Sequence, residues 1–126
     1  MFHHLSIGVA DLDRSAAFYD AVLGTLGHER FMEKPGTLSW RPKGGGPAFW
    51  INLRDDLTVI HDDGRHIAFA APSAMHVDAF YETAITSGAV GDGAPGLRPQ
   101  YRADYYGAFV LDPDGHKIEA VYLPPN

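Results

Sequence analysis

His4-Leu5-Ser6-Ile7-Gly8-Val9 and His66-Ile67-Ala68-Phe69-Ala70-Ala71 are two versions of one pattern, a histidine followed by alternating large and small residues. Reading on from each, Ala17-Phe18-Tyr19-Asp20 falls on Ala79-Phe80-Tyr81-Glu82 without a gap, at the same offset of 62 residues (66 minus 4). A supersecondary unit used twice and related by a pseudo-twofold brings equivalent histidines toward the axis, where neither copy could build a site by itself. The repeat therefore predicts both the fold and the place to look for function.

Each copy reads as βαβββ. Phe2 to Val9 alternates as a strand, and Asp11 or Asp13 can cap a helix with Ala16, Tyr19, Leu23 and Leu26 on one stripe, ended by Gly24 and Gly27. Strands follow around Glu29 to Glu33, Thr37 to Arg41 and Ala48 to Leu53, separated by Lys34-Pro35-Gly36 and by the run Pro42 to Pro47. The second copy opens with Arg65 to Ala71, and Ser73 caps a helix from Ala74 to Ser87 bearing Val77, Phe80, Ala84 and Ile85. Gly88 to Asp104 is rich in Gly and Pro and is expected to hold a weak strand inside a long loop. Tyr105 to Leu111 and His116 to Leu123 form the last hairpin around Asp112-Pro113-Asp114-Gly115, a type I turn followed by a left-handed bulge residue. We expect an α+β protein forming a single domain over residues 1–126, with module one at about 1–60 and module two at about 61–126. The polar segment Arg54 to Gly64 is a hinge or turn, because neither half holds enough core to stand alone.

Strand parity locates the chemistry. His4 shares its face with Ser6 and Gly8, while Leu5, Ile7 and Val9 take the other; His66 shares its face with Ala68 and Ala70, opposite Ile67 and Phe69. The large residues face the helices and the histidine face is left hollow, as a ligand cavity requires. In the closing hairpin, pairing Asp112 with His116 makes facing positions sum to 228, which sets Glu119 opposite Phe109 and puts Tyr105 and Gly107 on the same face. Glu119 lies in the apolar run Ile118, Ala120, Val121, where a buried carboxylate needs a partner. Two imidazoles and a carboxylate form a facial triad with open positions, suited to Fe(II), Mn(II), Ni(II) or catalytic zinc. Blander readings stand beside this one: His4 as an ordinary surface histidine, and Glu119 in a salt bridge with Lys117 or Arg65. His3 competes with His4, but repeat and parity both choose His4. His28, His61, His76 and His116 read as solvated.

Composition narrows the function further. With 10 basic and 16 acidic residues, a formal charge of −6 and no basic cluster, the chain is a poor match to nucleic acid or anionic membranes. It has no cysteine, which excludes a disulfide frame, a thiol nucleophile and a zinc knuckle, and fits a reducing compartment. The chain runs straight into a strand, with no charged leader and no apolar run of spanning length, so a soluble cytoplasmic protein is expected. The glycines at 44 to 46 lack a following Lys-Ser/Thr and a helix, and no Gly-X-Ser-X-Gly elbow occurs, so neither a phosphate cradle nor a serine nucleophile is expected.

The His-bearing first strand, the segment Asp11-Leu12-Asp13-Arg14-Ser15 leading into Phe18-Tyr19 and Leu23-Gly24, and the closing Asp112-Pro113-Asp114-Gly115-His116-Lys117-Ile118-Glu119 resemble the vicinal oxygen chelate superfamily. This is the glyoxalase, bleomycin-resistance and extradiol-dioxygenase group. The resemblance implies paired βαβββ modules in an incomplete, cupped eight-strand barrel around a divalent metal, often as a homodimer, with small-molecule substrates chelating the metal through neighbouring oxygens. It places the metal ligands at His4, His66 and Glu119. Glyoxalase I enzymes add a carboxylate at the position of Trp50, which argues against that chemistry here. The three-ligand set is similar to extradiol dioxygenases and to fosfomycin-inactivating thiol transferases; Ser6 matches the hydroxyl residue of the latter, whereas Phe109 stands where they have tyrosine.

We therefore expect metal Lewis-acid chemistry of lyase or dioxygenase type, with Ser6 and Tyr105 positioning or shuttling a proton. Trp50 and Phe109 would wall the substrate, and Arg98 and Tyr101 would cover it. The alternatives are a bleomycin-resistance-like binding protein without catalysis, a fosfomycin-type thiol transferase, and a metal-free remnant in which Glu119 bonds the two histidines directly.

Overall fold

In the computed structural model, which describes residues 1–59 and 62–125, the order of elements is the same βαβββ series twice. The chain divides into two compact units, Met1–Thr58 and Val59–Asn126.

Unit one contains β1 (His4–Val9), α1 (Leu12–Gly24), β2 (His28–Lys34), β3 (Thr37–Pro42) and β4 (Ala48–Leu53), with sheet order β1-β4-β3-β2. β1 runs parallel to β4, and the other pairs are antiparallel. Asp11 caps α1 by accepting from the Arg14 backbone N–H. The expected stripe, Ala16, Tyr19, Leu23 and Leu26, is buried against the sheet together with Phe18 and Val22. Val9, Trp40, Phe49 and Ile51 meet it from the strands. The opposite sheet face carries His4 and Ser6, both exposed, in register with Ala48 and Trp50. Phe31 sits at a bulge between Arg30 and Met32.

Unit two contains β5 (Ile67–Ala70), α2 (Ala74–Thr86), β6 (Val90–Leu97), β7 (Tyr106–Leu111) and β8 (Lys117–Tyr122), ordered β5-β8-β7-β6. Here too the first and last strands are parallel. Ser73 caps α2 through the His76 N–H, and Val77, Phe80 and Ala84 are buried against β6, β7 and β8. Phe109 stands opposite Glu119 as the hairpin reading required. The turn closes by Asp112 N–H donating to His116 C=O at 2.8 Å, with Gly115 at φ +93°. Ala68 is the β5 partner of Glu119, so the small residue beside the histidine faces the carboxylate.

Two expectations change. The weak strand within Gly88 to Asp104 is the eight-residue β6, and Pro95 is accommodated because β6 is an edge strand. His28, which opens β2, and His116 are half-buried instead of solvated, and burial lowers the His28 pKa below the usual 6.5. His61 lies outside the described residues. Among the described residues no helix is long and apolar enough to cross a membrane.

Candidate functional site

Unit two assembles a chain of contacts around Glu119. Its side chain has 0% exposure, and its Oε1 lies 3.0 Å from Nε2 of His66, whose own side chain is 37% exposed. On the other oxygen the Tyr105 hydroxyl donates to Oε2 at 2.5 Å. The ordinary ion pairs considered for Glu119 are taken up elsewhere: Lys117 reaches Asp63 and Asp92 at 3.3 and 3.2 Å, and Arg65 reaches Asp62 at 3.3 Å. A buried carboxylate is costly without donors, and this one is met by an imidazole and a phenol.

The space for that carboxylate comes from Gly107. A Cβ there would lie 2.8 Å from Oε2 and 3.1 Å from the Tyr105 ring. Burial, and then the hydrogen bond to Glu119, push the Tyr105 pKa up, so the phenol is held as a proton donor.

The other residues singled out in unit two join the same chain. The Phe109 ring packs edge-on to His66 with centroids 5.5 Å apart. The Arg98 guanidinium lies 5.8 Å from the Phe109 centroid, and its Nη2 donates to Ala94 C=O at 2.6 Å. Tyr101, 60% exposed, packs edge-on to Tyr105 at 5.1 Å. Tyr106 points the other way and donates to Asp78 of α2 at 2.7 Å. The loop from Arg98 to Tyr105 is braced by Arg102, whose Nε donates to Asp104 and whose Nη2 donates to Pro124 C=O.

Unit one contributes a simpler face. His4 lies edge-on to Trp50 with centroids 6.5 Å apart, and its Nδ1 is 2.9 Å from Nδ1 of His3. Ser6 is in register with Trp50. The two units are equivalent strand for strand: Ser6 faces Trp50 in one and Ala68 faces Glu119 in the other, with 68 equal to 6 plus 62. Trp50 thus stands where unit two has its carboxylate. Among the described residues no three His, Cys, Asp or Glu side chains are gathered as a metal site; His66 and Glu119 are together, and His4 is not grouped with them.

His66 and Glu119 supply two donors of the kind a divalent metal takes: a fully buried carboxylate and an imidazole 3.0 Å apart, the carboxylate seated in the space that Gly107 leaves. The sequence reading assigned Gly107 no role of its own and offered Lys117 only as a salt-bridge partner of Glu119, whereas its ammonium lies 5.0 Å from the Phe109 centroid. Gly107 had a visible signal, since parity placed it on the Glu119 face.

Comparisons with known proteins agree along the chain. The sequence model of the family described as "Glyoxalase/Bleomycin resistance protein/Dioxygenase superfamily" matches residues 1–120. The metallothiol transferase FosB of Shouchella clausii is 30% identical over 122 residues, covering 93% of this chain and 76% of that protein. A glyoxalase/bleomycin resistance protein from Albidiferax ferrireducens superposes with a TM-score of 0.86 at 34% identity, covering 98% and 99% of the two chains. A glyoxalase/bleomycin resistance protein/dioxygenase family enzyme from Burkholderia phytofirmans shares the fold, with a TM-score of 0.77 at 19% identity over 97% and 98% of the chains.

Proposed function

Because the chain belongs to the glyoxalase/bleomycin resistance protein/dioxygenase superfamily, we propose that it is a metal-dependent enzyme acting on a small, oxygen-rich substrate. The observation that carries this reading is the buried Glu119 carboxylate, held between His66 and Tyr105 in the cradle left by Gly107. His66 and Glu119 are assigned as metal ligands, with His4, the repeat equivalent of His66, as the third. A divalent ion of the Fe, Mn, Ni or Zn kind would supply Lewis-acid polarisation of a substrate oxygen.

The chain's own residues supply the rest. Tyr105 fixes the Glu119 carboxylate through Oε2 and carries the proton nearest to it. Phe109 packs edge-on to the His66 ring and orients it. Trp50 does the same for His4, and the exposed Ser6 hydroxyl stands on that face to orient a polar substrate group. Arg98 and Tyr101 sit over Phe109 and Tyr105, where they can cover a bound substrate.

The first test is the metal content of protein purified without tag or chelator, beside His4→Ala, His66→Ala and Glu119→Gln. Near-stoichiometric metal in the parent and its loss in all three variants is the expected result. A Glu119→Gln protein with unchanged metal content sinks the assignment.

A second reading, thiol transfer to an epoxide such as fosfomycin, is favoured by the 30% identity to a metallothiol transferase and by Ser6. Against it stands Phe109 where those enzymes place tyrosine. Thiol consumption on adding fosfomycin to metal-loaded protein supports transfer; turnover of diols or oxoaldehydes without thiol supports the first reading.

A further inference from the structure

Unit one has a cavity of about 350 Å³ that none of the residues assigned to metal lines, formed by Phe2, His3, Phe31, Arg41, Pro47 and Ala48. Its size is at the lower end of the range, roughly 300–1,000 Å³, that small-molecule sites occupy. The larger hollow beside α1 offers less, because its Arg30 is already paired with Asp20 and Glu33 at 2.7 and 2.6 Å.

Arg41 is placed differently. Its guanidinium carbon lies over the Phe31 ring, 4.3 Å from the centroid. Glu29 stands opposite it in the β2–β3 ladder, yet among the described residues no side chain forms an ion pair or hydrogen bond with the guanidinium. Stacking engages the face of a guanidinium and leaves its edge donors, a planar fork that matches a carboxylate or phosphonate bidentately. Phe31 also packs edge-on to Trp50 with centroids 5.9 Å apart, which fixes its ring. Phe2, 68% exposed, and Pro47 offer apolar surface alongside. A charged fork against an apolar wall fits a ligand with a flat apolar body and one anionic end.

The geometry points to a binding site in unit one for a small aryl or conjugated carboxylate or phosphonate, its anion on the Arg41 edge and its ring against Phe31 and Phe2. None of the residues assigned to metal lines this cavity, so the site stands whether or not the metal reading does.

Benzoate, phenylphosphonate, inorganic phosphate and benzyl alcohol are titrated into isotope-labelled protein, following the backbone amides of Phe31, Gly46 and Ala48 by NMR. Saturable shifts with benzoate and phenylphosphonate, and much weaker ones with benzyl alcohol and phosphate, are expected. Arg41→Gln should weaken benzoate binding at least ten-fold, and Arg41→Lys by less, because lysine keeps the charge but loses the fork. Phe31→Leu should weaken phenylphosphonate more than phosphate. Glu119→Gln, in the other unit, should bind as the parent does, which separates this site from the metal reading. The proposal is overturned by an Arg41→Gln protein that titrates like the parent with undisturbed spectral dispersion. Phosphate binding as tightly as phenylphosphonate, or the absence of saturable shifts with every probe, overturns it equally.

Discussion

A methyl group at position 107 would push into both the Glu119 carboxylate and the Tyr105 ring, and Glu119 cannot yield easily because each of its oxygens is engaged. Gly107→Ala is therefore expected to cost about 1–3 kcal/mol of stability and to weaken metal binding, read by urea unfolding and metal titration of one preparation. Tyr105→Phe removes the donor to Oε2 and leaves that buried oxygen short of a partner; we expect a loss of about 1–3 kcal/mol with the fold retained. His28 supplies a pH signature. Burial keeps its imidazole neutral below the ordinary 6.5, so as the pH falls the unfolded chain takes up the proton first. Stability contributed by neutral His28 is complete above 6.5 and declines below it. Urea midpoints measured on either side of that value should fall less in His28→Gln than in the parent. At this scale the sequence pointed to Glu119, since a carboxylate in an apolar run demands an explanation, but offered Lys117 and Arg65 as partners. Only the folded chain shows both cations committed to aspartates, because side-chain reach across a sheet is not written in residue order.

The helices were the most legible elements. Asp11 and Ser73 sit one repeat apart, 73 being 11 plus 62, and both cap as side chains that satisfy a free N–H in the first turn. Asp11→Ala should lower stability by about 1 kcal/mol, measurable as a shift in the denaturation midpoint without a change in slope. The final hairpin was equally readable, because a turn of fixed chemistry sets the register of every residue after it. β6 was the hard case. Val90-Gly91-Asp92-Gly93-Ala94-Pro95-Gly96-Leu97 has little strand propensity, and its register slips twice against β7. Its glycines are explained by neighbours distant in sequence: a Cβ at Gly91 would run into the Tyr81 hydroxyl, and one at Gly93 would crowd Phe109 and Arg98. Tertiary pairing overrode local preference there. The Arg41 cavity was illegible for a related reason, since the bulge that turns Phe31 under the guanidinium leaves no mark in the pattern of residues.

Across the whole molecule, duplication set the plan and divergence set the chemistry. Only Pro35 and Gly36 separate β2 from β3, whereas Arg98 to Tyr105 separate β6 from β7, and that longer connection brings Tyr101 and Tyr105 to the unit that owns Glu119. The charge of −6 belongs to this scale as well: the protein should pass through a heparin column and bind an anion exchanger at neutral pH, and salt-sensitive heparin retention would overturn the expectation that polyanions are poor partners. The same divergence left the chain with two very different indoles. Trp40 is 1% exposed and donates from Nε1 to Asp20 at 2.9 Å, whereas Trp50 is half-buried beside His4, with the Lys34 ammonium 5.9 Å from its ring centroid. The chain is thus its own optical instrument: a dissolved collisional quencher such as iodide reaches Trp50 and spares Trp40, so the quenchable part of the emission reports on the histidine face and the remainder on the core.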